Sequence, residues 1–542
     1  MIRVIHRGGP SWGIQSSCFQ PILRDEARRT PGMVWDAASR SWCGYADAVA
    51  VTVKRSRSRG LVIQESNGAA PVQLLPIAQK DLRGYQVEGV HFLIAKANEG
   101  AILADEMACG KSCQAITAAR AFKTKTVIVC PSFVRGVWLD EMKRWWPAAR
   151  VAEVSGTKPE TFLRQVKIGC PPFDFDDADV VIIHYDILYA WVPSLLTWGL
   201  KTLILDEFQY CQGGNSRRTK AATELARSSA YRIALTGTPP LEKTKNLWAA
   251  VNTISEGRFG AKPWGFYVRH CDAHQEQITP TKCVWKIDGS SNLDELQERL
   301  TWSPATHWGF MLRRLKSEVA IELPARTRQI LELEVPKLGL NASIKSALGS
   351  DKLLRAALNA TADGKLPQVI DIVIDHIQAG HKVVVGAYRK AIAYAIAEGV
   401  TQKIPVRLEV ITGDVPLAKR EAAIKSQPSL LCCTFDSTGV GIDLSFASVG
   451  VVAELDYSPV KLTQWEGRFG RKAGRNVLIQ YAIAKGSADE LVKRVVLQKL
   501  DRFTASVGRV DGKLAEDFAA LSKEGAAARM QRLYEKLCAK DD

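Results

Sequence analysis

Two stretches of this chain alternate short, unbroken apolar runs with longer segments of helical period, and that alternation constrains the fold more than any other feature. In the first, from about residue 76 to 250, the runs are Ala101–Leu103, Thr126–Cys130, Val180–His184, Thr202–Leu205 and Arg232–Leu235. In the second, from about 326 to 500, they are Lys382–Gly386, Arg407–Ile411, Leu430–Thr434, Val449–Glu454 and Asn476–Tyr481. A strand that is apolar on both faces needs cover on both faces, and a parallel sheet wrapped by crossover helices supplies it. The pattern predicts an α/β chain with two parallel-sheet lobes in tandem and a cleft between them. Ligands of such sheets bind beyond the carboxyl ends of the strands.

The remaining segments read as additions. Residues 1–75 lack long apolar runs and carry a basic patch at Lys54, Arg55, Arg57 and Arg59; they form an N-terminal accessory module. Residues 256–325, rich in aromatic and basic side chains, read as a mainly helical insertion. Residues 501–542 read as a charged helical brace.

A length of 542 residues accommodates two large domains. The net charge of +16 suits a polyanion, either nucleic acid or an acidic membrane. The longest apolar runs are strand-sized and no apolar leader opens the chain, so a soluble, cytoplasmic protein is expected. The 12 cysteines show no disulfide framework. Cys109, Cys113, Cys130 and Cys211 fall in or beside core strands and candidate catalytic turns, which suggests reduced thiols. Cys271, His274 and Cys283 lack paired spacing and a fourth ligand, so zinc is not expected.

Three segments carry chemistry. Ala104-Asp105-Glu106-Met107-Ala108-Cys109-Gly110-Lys111-Ser112 follows a strand and opens a helix. Its Gly-Lys-Ser end fits a phosphate loop, in which backbone N–H groups and the helix N-terminus cradle phosphates. Lys111 would reach the β- and γ-phosphates of ATP and Ser112 would hold Mg²⁺. Asp105 stands where the generic loop has its first glycine. Next, Leu203-Ile204-Leu205-Asp206-Glu207-Phe208-Gln209 is an apolar strand ending in two carboxylates. Asp206 is suited to Mg²⁺, opposite Ser112, and Glu207 to orienting and deprotonating water. Finally, Arg468 and Arg471 sit three apart and share a face if helical. Arginines of a second lobe would offset charge on a γ-phosphate.

Together these segments resemble the Swi/Snf-type ATPases of helicase superfamily two, with the motifs in family order over about residues 30 to 500. Leu82 to Val90 resembles the Q motif, with Gln86 on adenine. Residues 102–112 resemble the family's phosphate loop, which also carries Asp at the place of Asp105. Residues 127–147 resemble motif Ia and 203–209 the DExH box. Ala234-Leu235-Thr236-Gly237-Thr238-Pro239 is similar to the motif III coupling element, and Gln209 belongs with that coupling set. Thr438 to Leu444, with Gly441 and Asp443 at the nucleotide, resembles motif V, and 464–471 resembles motif VI. Residues 289–296, the block from Met311 onward, and Pro31 to Asp36 with Trp42 are similar to the annealing-helicase (HARP-like) branch. The resemblance implies two RecA-like lobes and a DNA-dependent ATPase using ATP and Mg²⁺. It departs from the family at Ala108 (glycine), Gln209 (histidine) and Gly474 (glutamine).

The resemblance also implies sequence-independent DNA contacts at Ser132, Tyr185, Thr412, Gly413 and Thr434, and near Arg313, Arg314 and Lys316. Trp138, Trp145 and Trp146, spaced along an amphipathic helix, read as core rather than as base-stacking residues. The expectation is a monomeric motor on duplex or forked DNA. Alternatives are an RNA-polymerase-recycling translocase or a DNA-binding scaffold with a decayed site.

Overall fold

The computed structural model describes residues 2–6, 12–16, 20–37, 39, 41–59, 61, 63–65, 82–160, 175–237, 244–279, 282–302, 309–319, 326–335, 351–438, 442–456, 459–469, 477–490 and 492–493. The chain divides into two compact units, chiefly Met1–Ala320 and Ile321–Thr504.

The first unit opens with a small sheet. Strands β1 (Ile2–His6), β2 (Trp12–Ser16), β3 (Val34–Asp36), β4 (Ser41–Gly44) and β5 (Ile63–Glu65) lie in the order β3-β4-β2-β1-β5. All neighbours are antiparallel except β1 and β5. Helices Pro21–Arg29 and Ala46–Ser58 cover it, burying Ile2, Val4, Ile14, Leu23, Ala27, Val49 and Val53 in one core. These strands escape a periodicity search because they are short and alternate buried with exposed residues.

The main sheet follows. It contains β6 (Ala101–Leu103), β7 (Thr126–Cys130), β8 (Val151–Glu153), β9 (Val180–His184), β10 (Thr202–Asp206) and β11 (Tyr231–Leu235). β12 (His274–Thr279) and β13 (Lys282–Lys286) form a separate antiparallel hairpin. β14 (Met311–Leu312) then returns to the main sheet, giving the order β14-β6-β11-β10-β7-β9-β8. Every pairing in it is parallel. The strands are buried on both faces, as continuous apolar runs require. Sequence order and spatial order differ, so β6, β11 and β10 become neighbours and bring residues about 100 and 200 into register.

The segment read as a mainly helical insertion is mixed. Helices Trp264–His270 and Leu293–Leu300 flank the hairpin, and the segment ends in β14. Aromatic and β-branched residues in β12 and β13, misread as helical, favour strands. Among the described residues no group of three or more His, Cys, Asp or Glu is arranged to hold a metal; Cys271 is buried and Cys283 exposed.

A buried charge network joins the N-terminal sheet to the main one, at the end of the strands where β6 begins. Asp47 Oδ1 accepts from Arg258 Nη1 at 3.2 Å and Asp47 Oδ2 from Arg299 Nε at 3.0 Å. Arg258 Nη2 donates to Glu99 Oε2 at 3.0 Å, and Lys96 Nζ lies 3.3 Å from Glu99 Oε1. Gly32 (φ +90°) packs on this junction: a Cβ there would fall 2.0 Å from the Arg258 carbonyl oxygen, so only glycine fits. The basic patch of the Ala46–Ser58 helix is largely consumed internally. Lys54 pairs with Glu298 at 2.6 Å, Arg59 with Glu26 at 2.7 Å, and Arg55 with the same Glu26.

The second unit is also a parallel sheet, in the order β15-β20-β19-β16-β18-β17. Its strands are β15 (Arg326–Leu333), β16 (Val383–Ala387), β17 (Leu408–Ile411), β18 (Leu430–Thr434), β19 (Val449–Val452) and β20 (Val477–Ala484). Helices Asp351–Gln378 and Lys390–Lys403 pack on it, and Val373, Val383, Val385, Ile396 and Val400 are buried in their shared core. Among the described residues no helix is long and apolar enough to cross a membrane.

Candidate nucleotide site

The loop after β6 is shaped by two left-handed residues. Gly110 (φ +73°) caps the helix Lys111–Phe122, and Ala108 adopts φ +68°, a conformation that strains any side chain with a Cβ. Lys111 Nζ is held by the Asp105 and Glu106 carbonyls at 2.9 and 3.2 Å. The Cys109 carbonyl accepts from Tyr85 Oη (3.2 Å), Gln86 Nε2 (3.3 Å) and Gln114 Nε2 (3.2 Å). Gln86 therefore braces the loop, while its Oε1 accepts the Arg83 N–H and closes the helix start. Burial pushes the Tyr85 phenol up to about 12. Met107 and Cys109 are buried, and Ser112 in the first helical turn is half-buried. Gly237, after β11, faces this loop: a Cβ there would lie 2.6 Å from Met107 Cγ and 3.5 Å from Lys111 Nζ.

Asp206 ends β10, the strand beyond β11. Its Oδ1 accepts the Glu207 N–H at 3.0 Å and its Oδ2 the Trp138 indole N–H at 2.8 Å. The Tyr185 hydroxyl donates to its carbonyl at 2.8 Å. Burial, with the adjacent Glu207 charge, pushes the Asp206 carboxyl up to about 7, against the pull of the Trp138 hydrogen bond and Lys111. Glu207 is buried and left-handed (φ +49°), a strain of the kind folds hold at functional positions. Its Oε2 accepts from Gln209 Nε2 at 2.7 Å, and Gln209 Oε1 accepts from the buried Thr236 hydroxyl at 3.0 Å. An amide can donate and accept at once, so Gln209 bridges Glu207 to the end of β11.

The structure gives several of the expected site residues partners within the protein. Asp105, expected at the nucleotide, is fully buried. Its Oδ2 takes Arg314 Nη2 at 2.6 Å and its Oδ1 takes Arg314 Nε at 3.0 Å. Arg314, expected on DNA, is thereby spent, with Glu88 also 3.1 Å away. Arg313 donates to the Ala104 carbonyl at 2.8 Å, and burial lowers its pKa. Both arginines tie β14 to the loop, Arg314 buried and Arg313 half-buried. Tyr185, also expected on DNA, is buried and stacks on Tyr210. Trp138 is core, as read, but its indole N–H reaches Asp206, a contact that helical spacing does not signal.

Other expected DNA contacts divide. Ser132 and Gly413 are exposed, while Thr412 and Thr434 are buried, Thr412 within 3.3 Å of the Tyr394 hydroxyl. Asp443 Oδ1 accepts the Ser445 N–H at 2.9 Å. Arg468 is buried in the turn after the helix Pro459–Glu466, not on that helix as its spacing suggested. Glu466, the last residue of the helix, accepts from Arg328 (2.7 Å) and from the Tyr481 hydroxyl. Thr238, Gly441, Arg471 and the Lys316 side chain lie outside the described residues.

The groups present fit magnesium-bound ATP. Burial and the neighbouring Glu207 charge raise the cost of ionising Asp206, which a divalent cation would offset. Ser112 and Asp206 supply the oxygen ligands such a cation takes. Lys111, Ser112, Asp206, Glu207 and Thr236 all stand at the carboxyl ends of β6, β10 and β11.

A phosphate loop and an acidic turn set on a parallel sheet in this way define the helicase-like ATPases. The SNF2-related domain matches residues 85–369 and the helicase conserved C-terminal domain residues 364–473; the first takes in more than half of the chain, which therefore belongs to the SNF2-related family. The SWI/SNF-related matrix-associated actin-dependent regulator of chromatin subfamily A-like protein 1 of Xenopus laevis is 30% identical over 445 residues, covering 78% of this chain and 43% of that protein. The DNA annealing helicase and endonuclease ZRANB3 of Mus musculus is 28% identical over 448 residues, 77% of this chain and 40% of that protein. The chain thus spans less than half the length of these two relatives. Among solved structures, the Sulfolobus solfataricus SWI2/SNF2 ATPase core in complex with dsDNA is 18% identical, with 84% and 98% of the two chains covered and a TM-score of 0.39.

Proposed function

We propose that this chain is a DNA-dependent ATPase that converts ATP hydrolysis into movement along double-stranded or forked DNA, in replication, repair or recombination. The observation carrying this reading is the chain of hydrogen bonds Glu207–Gln209–Thr236, which ties a candidate water-activating carboxylate to the strand end beside the phosphate loop. Lys111 neutralises the phosphates once it leaves its two carbonyl partners. Glu207 accepts the proton of the attacking water, and Gln209 fixes the carboxylate that does so. Magnesium held by Ser112 and Asp206 would supply charge neutralisation at the phosphates. Arg468, and Arg471 by family resemblance, are proposed to contribute to hydrolysis from the second unit's sequence. The name of a relative, a DNA annealing helicase and endonuclease, supports DNA as the partner.

The deciding experiment measures steady-state ATPase rates with duplex, single-stranded and forked DNA, then triplex displacement and bubble annealing. Stimulation by duplex or fork, lost in Lys111→Ala, is the expected result. A rate indifferent to DNA rejects the motor, and no ATPase activity at all favours the scaffold with a decayed site.

A further inference from the structure

We propose that Trp138 is a positioning residue through which DNA held at the Ser132 turn sets the Asp206 carboxylate. This rests on the reading of the chain as a DNA-dependent ATPase and names how the two activities meet in the first unit. Ser132 is exposed in the short 3₁₀ turn Ser132–Val134, which runs straight into the helix Arg135–Trp145. Arg135 Nε returns to the Ser132 carbonyl at 3.1 Å and stiffens the junction. One turn further on, Trp138 is 1% exposed, and its indole N–H meets Asp206 Oδ2 at 2.8 Å. An indole only donates, so its partner is an acceptor, and a shift of the turn carries the donor with it. Trp138 lies in the first turn of that helix, so displacement at its start is delivered to Trp138 rather than absorbed.

A second loop converges on the same residue. The Tyr185 hydroxyl bonds the Asp206 carbonyl at 2.8 Å, and Tyr185 lies in the turn that follows β9. Its ring stacks on Tyr210, whose face is covered by Arg218, which in turn lies 3.9 Å from Asp186 of that turn. Asp206 is therefore gripped from two loops, the one after β7 that exposes Ser132 and the one after β9 that buries Tyr185. Both donors are uncharged, so they act through orientation.

The test uses the full chain and two variants, Trp138→Phe, which keeps a ring without the donor, and Tyr185→Phe, which keeps the stack. ATPase rates with and without saturating duplex, DNA affinity, and binding of a fluorescent non-hydrolysable ATP analogue with and without DNA are measured. In Trp138→Phe the ratio of DNA-stimulated to basal rate falls about tenfold. DNA affinity holds, and the effect of DNA on analogue binding disappears. Tyr185→Phe moves the ratio in the same direction and carries the test if Trp138→Phe does not fold. A ratio within about twofold of the parent's, or basal and stimulated rates falling in proportion, overturns the proposal. A parent enzyme without DNA stimulation overturns the functional reading itself and this inference with it, a result read before any variant is made.

Discussion

The main sheet of the first unit carries buried charge at both ends, handled in opposite ways. Where β6 begins, Asp47, Glu99, Arg258, Arg299 and Lys96 form alternating ion pairs, and Arg258 also lies between the Tyr45 and Phe310 rings. Where β10 ends, Asp206 and Glu207 are neighbours in sequence and accept from an indole, a peptide N–H and an amide, none of them charged. Pairing makes the first end a fixed joint. Leaving like charges side by side makes the second end a place that an added cation would stabilise. Position in the sheet therefore decides whether a buried carboxylate serves cohesion or chemistry.

The contrast is broken most severely at the acidic turn. Glu207→Gln lowers the ATPase rate by about a hundredfold to ten-thousandfold, and its melting temperature stays level or rises because a like charge has gone. Phosphate release and thermal melting read the two effects, and a variant that loses rate only by unfolding contradicts the separation. At the other end the sign reverses. Arg258→Met leaves Asp47 to Arg299 alone and Glu99 to Lys96 alone, and breaking two buried pairs at once costs about 3–5 kcal/mol of stability by urea unfolding. A loss under about 1 kcal/mol would mean the network is solvated and not a joint.

The pH dependence sharpens the same point. The Asp206 carboxyl titrates near 7 in the folded chain and in the ordinary carboxylate range when unfolded. Between those values the folded state holds a proton that the unfolded state has released. Stability without divalent cations therefore falls as pH rises through that window. Asp206→Asn removes this slope, so its melting temperature gains on the parent's at pH 8 relative to pH 5. Equal shifts at both values would contradict the burial argument. The smallest effect belongs to Ala108→Gly. Relieving φ +68° is expected to stabilise by about 0.5–1 kcal/mol, read as a higher urea midpoint at unchanged slope.

What the sequence made legible is what local order encodes. Lys111, Ser112, Asp206 and Glu207 follow apolar strands directly, and the strand positions announced themselves by continuous hydrophobicity. Contacts between distant residues were not legible. Asp105 and Arg314 stand 209 positions apart, and no periodicity couples them. Arg314 looked like a surface cation because its neighbours Arg313 and Lys316 share its charge. Trp138 was correctly read as buried, but amphipathic spacing says nothing about where an indole N–H points. The N-terminal sheet went unread because its strands, two of them containing Gly13 and Gly44, are too short to show a period. Arg468 was misplaced for a different reason: spacing of three describes a helix or a turn equally well.

β14 sets where the first unit can be cut. Two residues, Met311 and Leu312, lie beside β6, and the Ala104 and Glu106 amides bond to Leu312 and Arg314 carbonyls at 2.7 and 2.9 Å. A fragment cut near residue 300 would leave β6 as a bare rim, with peptide groups open to the next copy of itself. Truncations meant to isolate nucleotide binding should run through Leu315; shorter ones are expected to precipitate by rim-to-rim stacking, with Lys111, Ser112, Asp206 and Glu207 still in the polypeptide.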